Sequence, residues 1–237
     1  MAIKAMGAAA APMPSRSLAI GAPVWVHGAA GEHRPGSIGA YVSNADGVWL
    51  VSANHVLAAN GVFLPQADPR HGVYVGQERI SRTVVFSYLR RSGNRADAAA
   101  CLLARAHSFA PVWPTGWAPS RHPHCPAIRT KVKVSVGGED RFGTVTRIGT
   151  LRVSMKGAGF PCSLGEVEFL DSILVHAVDP AFKRPGNSGL LVVTADTACR
   201  PIGIITGTSL DEGGDYVVVS PLAQTLASLG LPNQILI

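Results

Sequence analysis

The chain has 237 residues, 47% of them hydrophobic, which supplies core for one large β domain or two small ones and excludes a disordered chain. Charged residues make up only 15%, while Gly (26) and Pro (17) are abundant, a balance that favours short strands and tight turns over long surface helices. The formal net charge is +6, yet the denser basic groups, Arg79 to Arg82 with Arg90 and Arg91, and Arg129 to Lys133, lack interleaved aromatic residues. They read as solvated surface, and no nucleic-acid partner is expected.

Residues 1–17 start Met-Ala-Ile-Lys and run through Ala8 to Pro14, an Ala/Pro segment with few large apolar side chains. It reads as a mobile leader more than as a signal peptide. The first clear hairpin joins Ile38 to Ser43 with Val48 to Ala53 through Asn44-Ala45-Asp46-Gly47, where Asp-Gly suits a positive backbone angle. Extended runs at Gly72 to Gly76, Thr83 to Leu89 and Ala96 to Ala104 fill out a first unit over 18–110. Five prolines and two tryptophans between Pro111 and Pro126 mark a linker, 111–126.

The second unit, 127–237, carries alternating or apolar runs at Lys131 to Val136, Phe142 to Ile148, Leu151 to Met155, Glu166 to Ala177, Gly189 to Thr194, Ile202 to Gly207 and Tyr216 to Val219. Ser220 reads as an N-cap and Pro221 as the first helical residue. Leu222, Leu226 and Leu229 recur at helical spacing, and Gly230 and Pro232 stop the run. The expected fold is all-β: two closed six-stranded antiparallel β-barrels, the closure removing exposed edges, with a short C-terminal helix packed on the second.

No run is long enough to span a bilayer, so no membrane partner is expected. Cys101, Cys125, Cys162 and Cys199 are too few for a disulfide scaffold in a chain of this length and read as mostly reduced and buried. A cytoplasmic location follows, with secretion left open. Oligomeric state has no signal in the sequence.

Three segments carry chemistry. Leu50-Val51-Ser52-Ala53-Asn54-His55-Val56-Leu57-Ala58 delivers a His at the end of an apolar strand. Alone, such a His is more often a structural residue than a base. Arg95-Ala96-Asp97-Ala98-Ala99-Ala100-Cys101 opens an uncharged apolar strand with one carboxylate, whose burial costs several kcal/mol unless partners satisfy it. The bland alternative is an Asp that caps a turn. Asp46 and Asp68 are poorer candidates because Gly or Pro flanks them in turns. Arg184-Pro185-Gly186-Asn187-Ser188-Gly189-Leu190 exposes a Ser just before an apolar strand, and its glycines let amide groups point toward the space before the hydroxyl.

A Ser hydroxyl needs a base to take its proton, and that base needs a third group to hold its tautomer. All three occur in the order His55, Asp97, Ser188. This order, split between the two halves, resembles the chymotrypsin/trypsin-like serine peptidases of the bacterial type. The likeness runs from about Ser37 to Leu231: Ser-Ala-Asn-His-Val-Leu-Ala is similar to their His segment, Asp97 to Leu103 to their Asp segment, and Gly186 to Gly189 to their Ser loop. Arg200-Pro-Ile-Gly-Ile-Ile-Thr-Gly-Thr is similar to the strand whose edge binds substrate.

The resemblance implies a serine endopeptidase acting on protein or peptide substrates through an acyl-enzyme, with no cofactor and no metal. It also implies an oxyanion hole from the amides of Gly186 and Ser188. It puts Phe182 at the base of the primary pocket, Thr206, Gly207 and Thr208 along its wall, and Gly214 opposite. With no carboxylate at that base, small or medium apolar residues are expected at the cleavage point. Three departures stand out. Leu190 replaces a second Gly, Val56 removes a common Cys, and Asn187 replaces the Asp that pairs with a freed amine in zymogen-activated members. Trimming near the N-terminus is therefore not expected to be the switch.

The main alternative is a catalytically inactive barrel pair that acts as a peptide- or protein-binding module, since folds outlive their chemistry. An esterase or acyltransferase with the same triad would need a strand-elbow-helix around the Ser, and here a strand follows it. His122-Pro123-His124-Cys125 lacks the spacing of a structural zinc site.

Overall fold

A computed structural model of the chain describes residues 18–27, 33–61, 72–104, 112–155, 164–212 and 214–236. The expected leader, 1–17, lies outside the described residues, as do Asp68 and Cys162. The first half holds β1 (Pro23–His27), β2 (His33–Ser37), β3 (Ala40–Asn44), β4 (Gly47–Ser52), the one-turn helix α1 (Asn54–Leu57), β5 (Val73–Val75), β6 (Glu78–Ser81), β7 (Thr83–Phe86) and β8 (Ala99–Leu102). The second holds β9 (Lys131–Val136), β10 (Glu139–Met155), β11 (Gly165–Ala177), β12 (Leu191–Thr194), β13 (Pro201–Thr208), β14 (Tyr216–Pro221) and α2 (Leu222–Ser228). The protein is thus mostly β, as expected. Among the described residues no helix is long and apolar enough to cross a membrane.

The second half closes into a six-stranded barrel in the order β10-β11-β14-β13-β12-β9, with antiparallel neighbours throughout. Its interior is apolar: Val132, Val134, Val145, Val175, Phe182, Leu190, Val192 and Val219 are all buried together. β10 is one strand of 17 residues where the sequence suggested two, because irregularities in register between Val145 and Arg147, and between Gly149 and Leu151, let it bend without breaking.

Where the sequence suggested a first closed barrel, the described residues form two four-stranded sheets, β2-β1-β5-β6 and β3-β4-β8-β7. Pro35 in β2 has no amide for a further ladder, so that strand ends its sheet. Both sheets face one core: Val24, Val26, Val73 and Ile80 from the first, and Tyr41, Leu50, Val51 and Cys101 from the second.

That core also draws on the other half. Leu191, Val193 and Ile204 join it from the barrel, and so do Leu222 and Leu226 of α2 with Leu231 and Ile235 beyond. The terminal helix packs on β13 and β14 of the barrel; its Leu222 and Leu226 also join the core of the first half, and the tail continues there as the Leu236 amide donates to the Tyr41 carbonyl at 2.8 Å. Ser220 does not cap the helix. Pro221 holds the N-cap position without a side-chain bond, and the Ser220 hydroxyl is used elsewhere.

Cys101 and Cys199 are buried and unpaired, and Cys125 is exposed and unpaired. Burial pushes the Cys101 thiol up to about 12, so it stays neutral and behaves as a small apolar side chain.

Candidate active site

His55 is delivered by α1, directly after β4. The helix is short because Ala59 and Asn60 turn into positive φ (42° and 58°). Asn60 and Asn54 then form a buried polar knot. The Asn54 amide donates to the Ser87 carbonyl at 2.5 Å, and Asn60 exchanges bonds with the backbone of Leu89 at 2.8 and 3.0 Å. Unpaired, these amides would cost about 1 to 3 kcal/mol each. Paired, they fix the chain that leads from β7 toward Asp97 against the helix carrying His55.

Asp97 is fully buried. One carboxylate oxygen lies 2.5 Å from His55 Nδ1, and the other accepts the His55 backbone amide at 3.2 Å. A buried carboxylate needs such partners, and here both belong to one residue. With Nδ1 as the donor to Asp97, Nε2 is left as the basic nitrogen. The Asp97 amide in turn donates to Ser220 Oγ at 3.1 Å, and Ser220 Oγ lies 2.8 Å from Thr206 Oγ1. The first half's carboxylate is thereby anchored to β14 and β13 of the second.

Ser188 follows a turn that runs from Arg184 to Asn187, closed by the Asn187 amide on the Arg184 carbonyl at 3.1 Å. Pro185 holds negative φ at its second position and Gly186 has φ of 94° at its third, which defines a type II turn and requires Gly there. The amides of Asn187, Gly189 and Leu190 are used, on Arg184, Ile205 and Asn187. Those of Gly186 and Ser188 have no acceptor among the described residues. Two free amides beside one hydroxyl form a site for developing negative charge.

The loop is braced from three sides. The Asn187 side-chain amide donates to the carbonyls of Ala181 and Phe182 at 2.7 and 2.9 Å. Ser37 of β2 donates through its amide to the Ser188 carbonyl (2.9 Å) and through its hydroxyl to the Gly186 carbonyl (2.8 Å). Ser52 Oγ donates to the Ser37 carbonyl at 2.7 Å. Gly189, with φ of 90°, sits so close that an added Cβ would lie 2.1 Å from Ser52 Oγ. Leu190 finds room because its side chain points into the barrel core, where it is 2% exposed.

His55 and Ser188 line one cavity of about 240 Å³. Its walls include Thr206, Gly207 and Thr208 of β13 together with Val153, Ser154 and Met155 of β10, and Val217. Phe182 is not among its walls. The side chain is fully buried in the barrel core, since the short 3₁₀ turn Pro180–Lys183 points it inward. Lys183 lines the cavity instead and is ion-paired with Asp215. Gly214 is exposed in the turn before β14 and is likewise not part of the wall. Sequence reasoning missed Ser37, Ser52, Ser220 and the β10 segment, none of which carries a local pattern.

Asp179, the carboxylate nearest in sequence to the loop, caps the 3₁₀ turn by accepting the Ala181 amide at 2.7 Å and pairs with Arg141 at 3.1 Å. No group of three or more His, Cys, Asp or Glu side chains suited to a metal ion occurs among the described residues.

No protein-family model and no curated protein matches the chain in sequence. Solved structures do. Protease A of Thermobifida fusca is similar with a TM-score of 0.61 at 18% identity, over 93% of this chain and 98% of that one. A glutamic acid specific serine protease is similar with a TM-score of 0.61 at 16% identity, over 92% and 99%. Cellulomonas bogoriensis chymotrypsin is similar with a TM-score of 0.56 at 16% identity, over 93% and 98%. The fold is therefore that of the bacterial chymotrypsin/trypsin-like serine proteases.

Proposed function

We propose that the chain is a serine endopeptidase that cleaves protein or peptide substrates with Ser188 as nucleophile, His55 as base and Asp97 as the orienting carboxylate. The observation that carries this reading is the buried Asp97 carboxylate, committed to both Nδ1 and the backbone amide of His55 in a cavity shared with Ser188. A carboxylate with only a structural role has no need to fix one imidazole tautomer beside a half-exposed hydroxyl.

In the proposed reaction the peptide extends along Thr206 to Thr208 with its scissile carbonyl at Ser188. His55 Nε2 takes the Ser188 proton as Oγ bonds to the carbonyl carbon, and the carbonyl oxygen becomes an oxyanion held by the Gly186 and Ser188 amides. Each such donor is worth about 3 to 4 kcal/mol in a comparable site. His55 then passes the proton to the leaving amine, the C–N bond breaks, and an acyl-enzyme remains. Water, deprotonated by His55, attacks the ester and regenerates Ser188. Asp97 stabilises the imidazolium in both halves of the cycle. The apolar wall from Val153, Met155, Ile205 and Val217 supports a small or medium apolar residue at the cleavage point.

The test is labelling with a fluorophosphonate probe, wild type against Ser188→Ala, followed by cleavage of a peptide library. Labelling lost in Ser188→Ala and scission by the wild type are expected. A wild type that neither labels nor cleaves, yet binds peptides, would leave the binding-module reading in its place.

A further inference from the structure

The open edge beside the nucleophile is short. One side of β13 pairs with β14, through Gly207 with Val218 and Thr208 with Val217. Its other side pairs first with β12 and then with the nucleophile loop, as the Ile205 amide donates to the Leu190 carbonyl at 3.0 Å and the Gly189 amide to the Ile205 carbonyl at 2.8 Å. From Thr206 through Thr208 that side carries no strand among the described residues. At Ser209 it is occupied again: Ser209 pairs antiparallel with Val153, and the Leu210 amide donates to the Arg152 carbonyl at 3.1 Å.

The occupying strand is the far end of β10, and it is firmly held. Arg152 bonds Asp211 through Nε at 2.9 Å and its own amide bonds the same carboxylate at 3.2 Å. Val153 is 2% exposed and packs over Gly207 so closely that a Cβ there would lie 2.9 Å from Val153 Cγ1. Met155, Val167 and Phe169 bury the rest of the hairpin end against Leu89 of the first half.

Resting on the substrate-binding role proposed for this edge, we infer that the β10–β11 hairpin closes the acyl side of the cleft after three residues. A peptide that adds antiparallel to Thr206–Thr208 runs opposite to β13, so the residue with the scissile carbonyl lies at the Thr206 end, beside the nucleophile loop. The two residues before it lie opposite Gly207 and Thr208. A fourth meets Val153, whose strand already holds the pairing position at Ser209. Its backbone finds no partner on β13 and turns away to solvent. The substrates are therefore read, on this side, over three residues only, and Val153 and Arg152 are specificity-determining through where they stand.

The experiment is a series of peptide p-nitroanilides with two to six residues on the acyl side, identical in those nearest the cleavage point. kcat/KM rises from two residues to three and stays within twofold from three to six. The matching free acids are titrated into Ser188→Ala by calorimetry, where affinity follows the same plateau. That arm reads the edge without turnover, while fluorophosphonate labelling reports separately on the protease reading. A gain of tenfold or more at the fourth to sixth residue, in either arm, overturns the inference, and so does failure of every length to be cleaved or bound. In Asp211→Ala and in Leu210→Pro, which loosen the occupying strand, a fourth residue is expected to gain several-fold. A plateau unchanged in both variants overturns the assignment of the limit to the hairpin.

Discussion

The two halves of the molecule solve different problems. The second is a closed barrel whose interior residues come entirely from 132–219, and it holds Ser188, the proposed nucleophile, in a loop braced by its own Asn187. The first is a pair of sheets whose core is completed by residues from β12, β13, α2 and the tail beyond it. The half that carries His55 and Asp97 is thus not a separate body set beside the other. It is folded around parts of it, and the links that cross over, Ser37 to Ser188 and Gly186, Asp97 to Ser220, run beside the three residues of the proposed triad.

The largest effect expected from this division is loss of activity when either half loses its reacting group. Ser188→Ala, in the barrel, and His55→Ala, in the sheets, should each remove nearly all turnover, and the double variant should be no worse than either single one because the groups act as a unit. Asp97→Asn should cost on the order of 10⁴ in kcat at neutral pH, following the template triad, since the amide can hold the wrong tautomer. Steady-state kinetics with one good peptide substrate measure all four. Full activity in Ser188→Ala would end the proposal.

A sharper comparison uses two glycines of the same loop. Gly189→Ala drives a methyl into Ser52 Oγ and within 2.6 Å of the Ser37 carbonyl, where the halves meet, so it should lose stability as well as activity. Gly186→Ala meets nothing closer than Pro35 Cβ at 4.0 Å. Its difficulty is φ, and the turn escapes by exchanging type II for type I, which turns over the peptide that carries the Gly186 amide. Thermal unfolding of Gly186→Ala should stay near wild type, at a cost of about 1 to 2 kcal/mol, while kcat falls roughly 10² to 10³-fold. Equal losses in both variants would show that the loop and the contact between the halves are one structural unit.

What the sequence disclosed follows the same line. His55, Asp97 and Ser188 were legible as candidates because each lies in a local pattern of a few residues. The strands of the barrel were legible because their alternation is strong. Ser37 and Ser220 were not, since their bonds reach across 149 and 123 residues and a lone Ser carries no signal. β2 and β6 escaped because proline, glycine and charged residues interrupt them, and only pairing makes them strands, whereas β1, Pro23-Val-Trp-Val-His, is strand-forming but too short to stand out. The base of the pocket was misplaced for a similar reason. Whether Phe182 points outward or into a barrel, and whether a distant hairpin folds over the cleft, depends on closure of the whole sheet.

Inside the barrel alone, Asn187→Asp tests whether the loop is held by donors. The wild-type amide gives both its N–H groups to carbonyl oxygens. A carboxylate there would set oxygen against oxygen in a position that is 8% exposed, and only its protonated form can donate, once. Destabilisation by about 1 to 3 kcal/mol is expected at neutral pH, with part of it recovered as pH falls and the new carboxyl takes up a proton. Chemical denaturation at two pH values reads this. A variant as stable as wild type at neutral pH would mean that another cation or amine reaches the position, which the uncharged native residue gives no reason to expect.

The smallest effect concerns the hairpin end, where the barrel leans on the first half. Asp211 is held below the usual carboxylate range, first by the hydrogen bond from the Arg152 side chain, then by the Arg152 amide and the charges of Arg152 and Arg147, against a desolvation that acts the other way. A carboxyl with a depressed folded value binds its proton more readily in the unfolded chain. Its contribution to stability is thus complete above the ordinary carboxylate range and is lost as pH falls through its lowered folded value. Arg152 is 54% accessible, so solvent screening leaves the pair only a small share of global stability. Global unfolding should hardly register the change. The local consequence is larger, because the same bonds hold β10 beside Ser209: hydrogen exchange at the Leu210 amide should quicken in acid, relative to that at the Ile205 amide, after correction for the intrinsic rate. Asp211→Ala should show that faster exchange already at neutral pH, with no further change on acidification. If both amides keep the same ratio from neutral to acid pH in the wild type, the hairpin is held by the packing of Val153 and Phe169 and not by this ion pair.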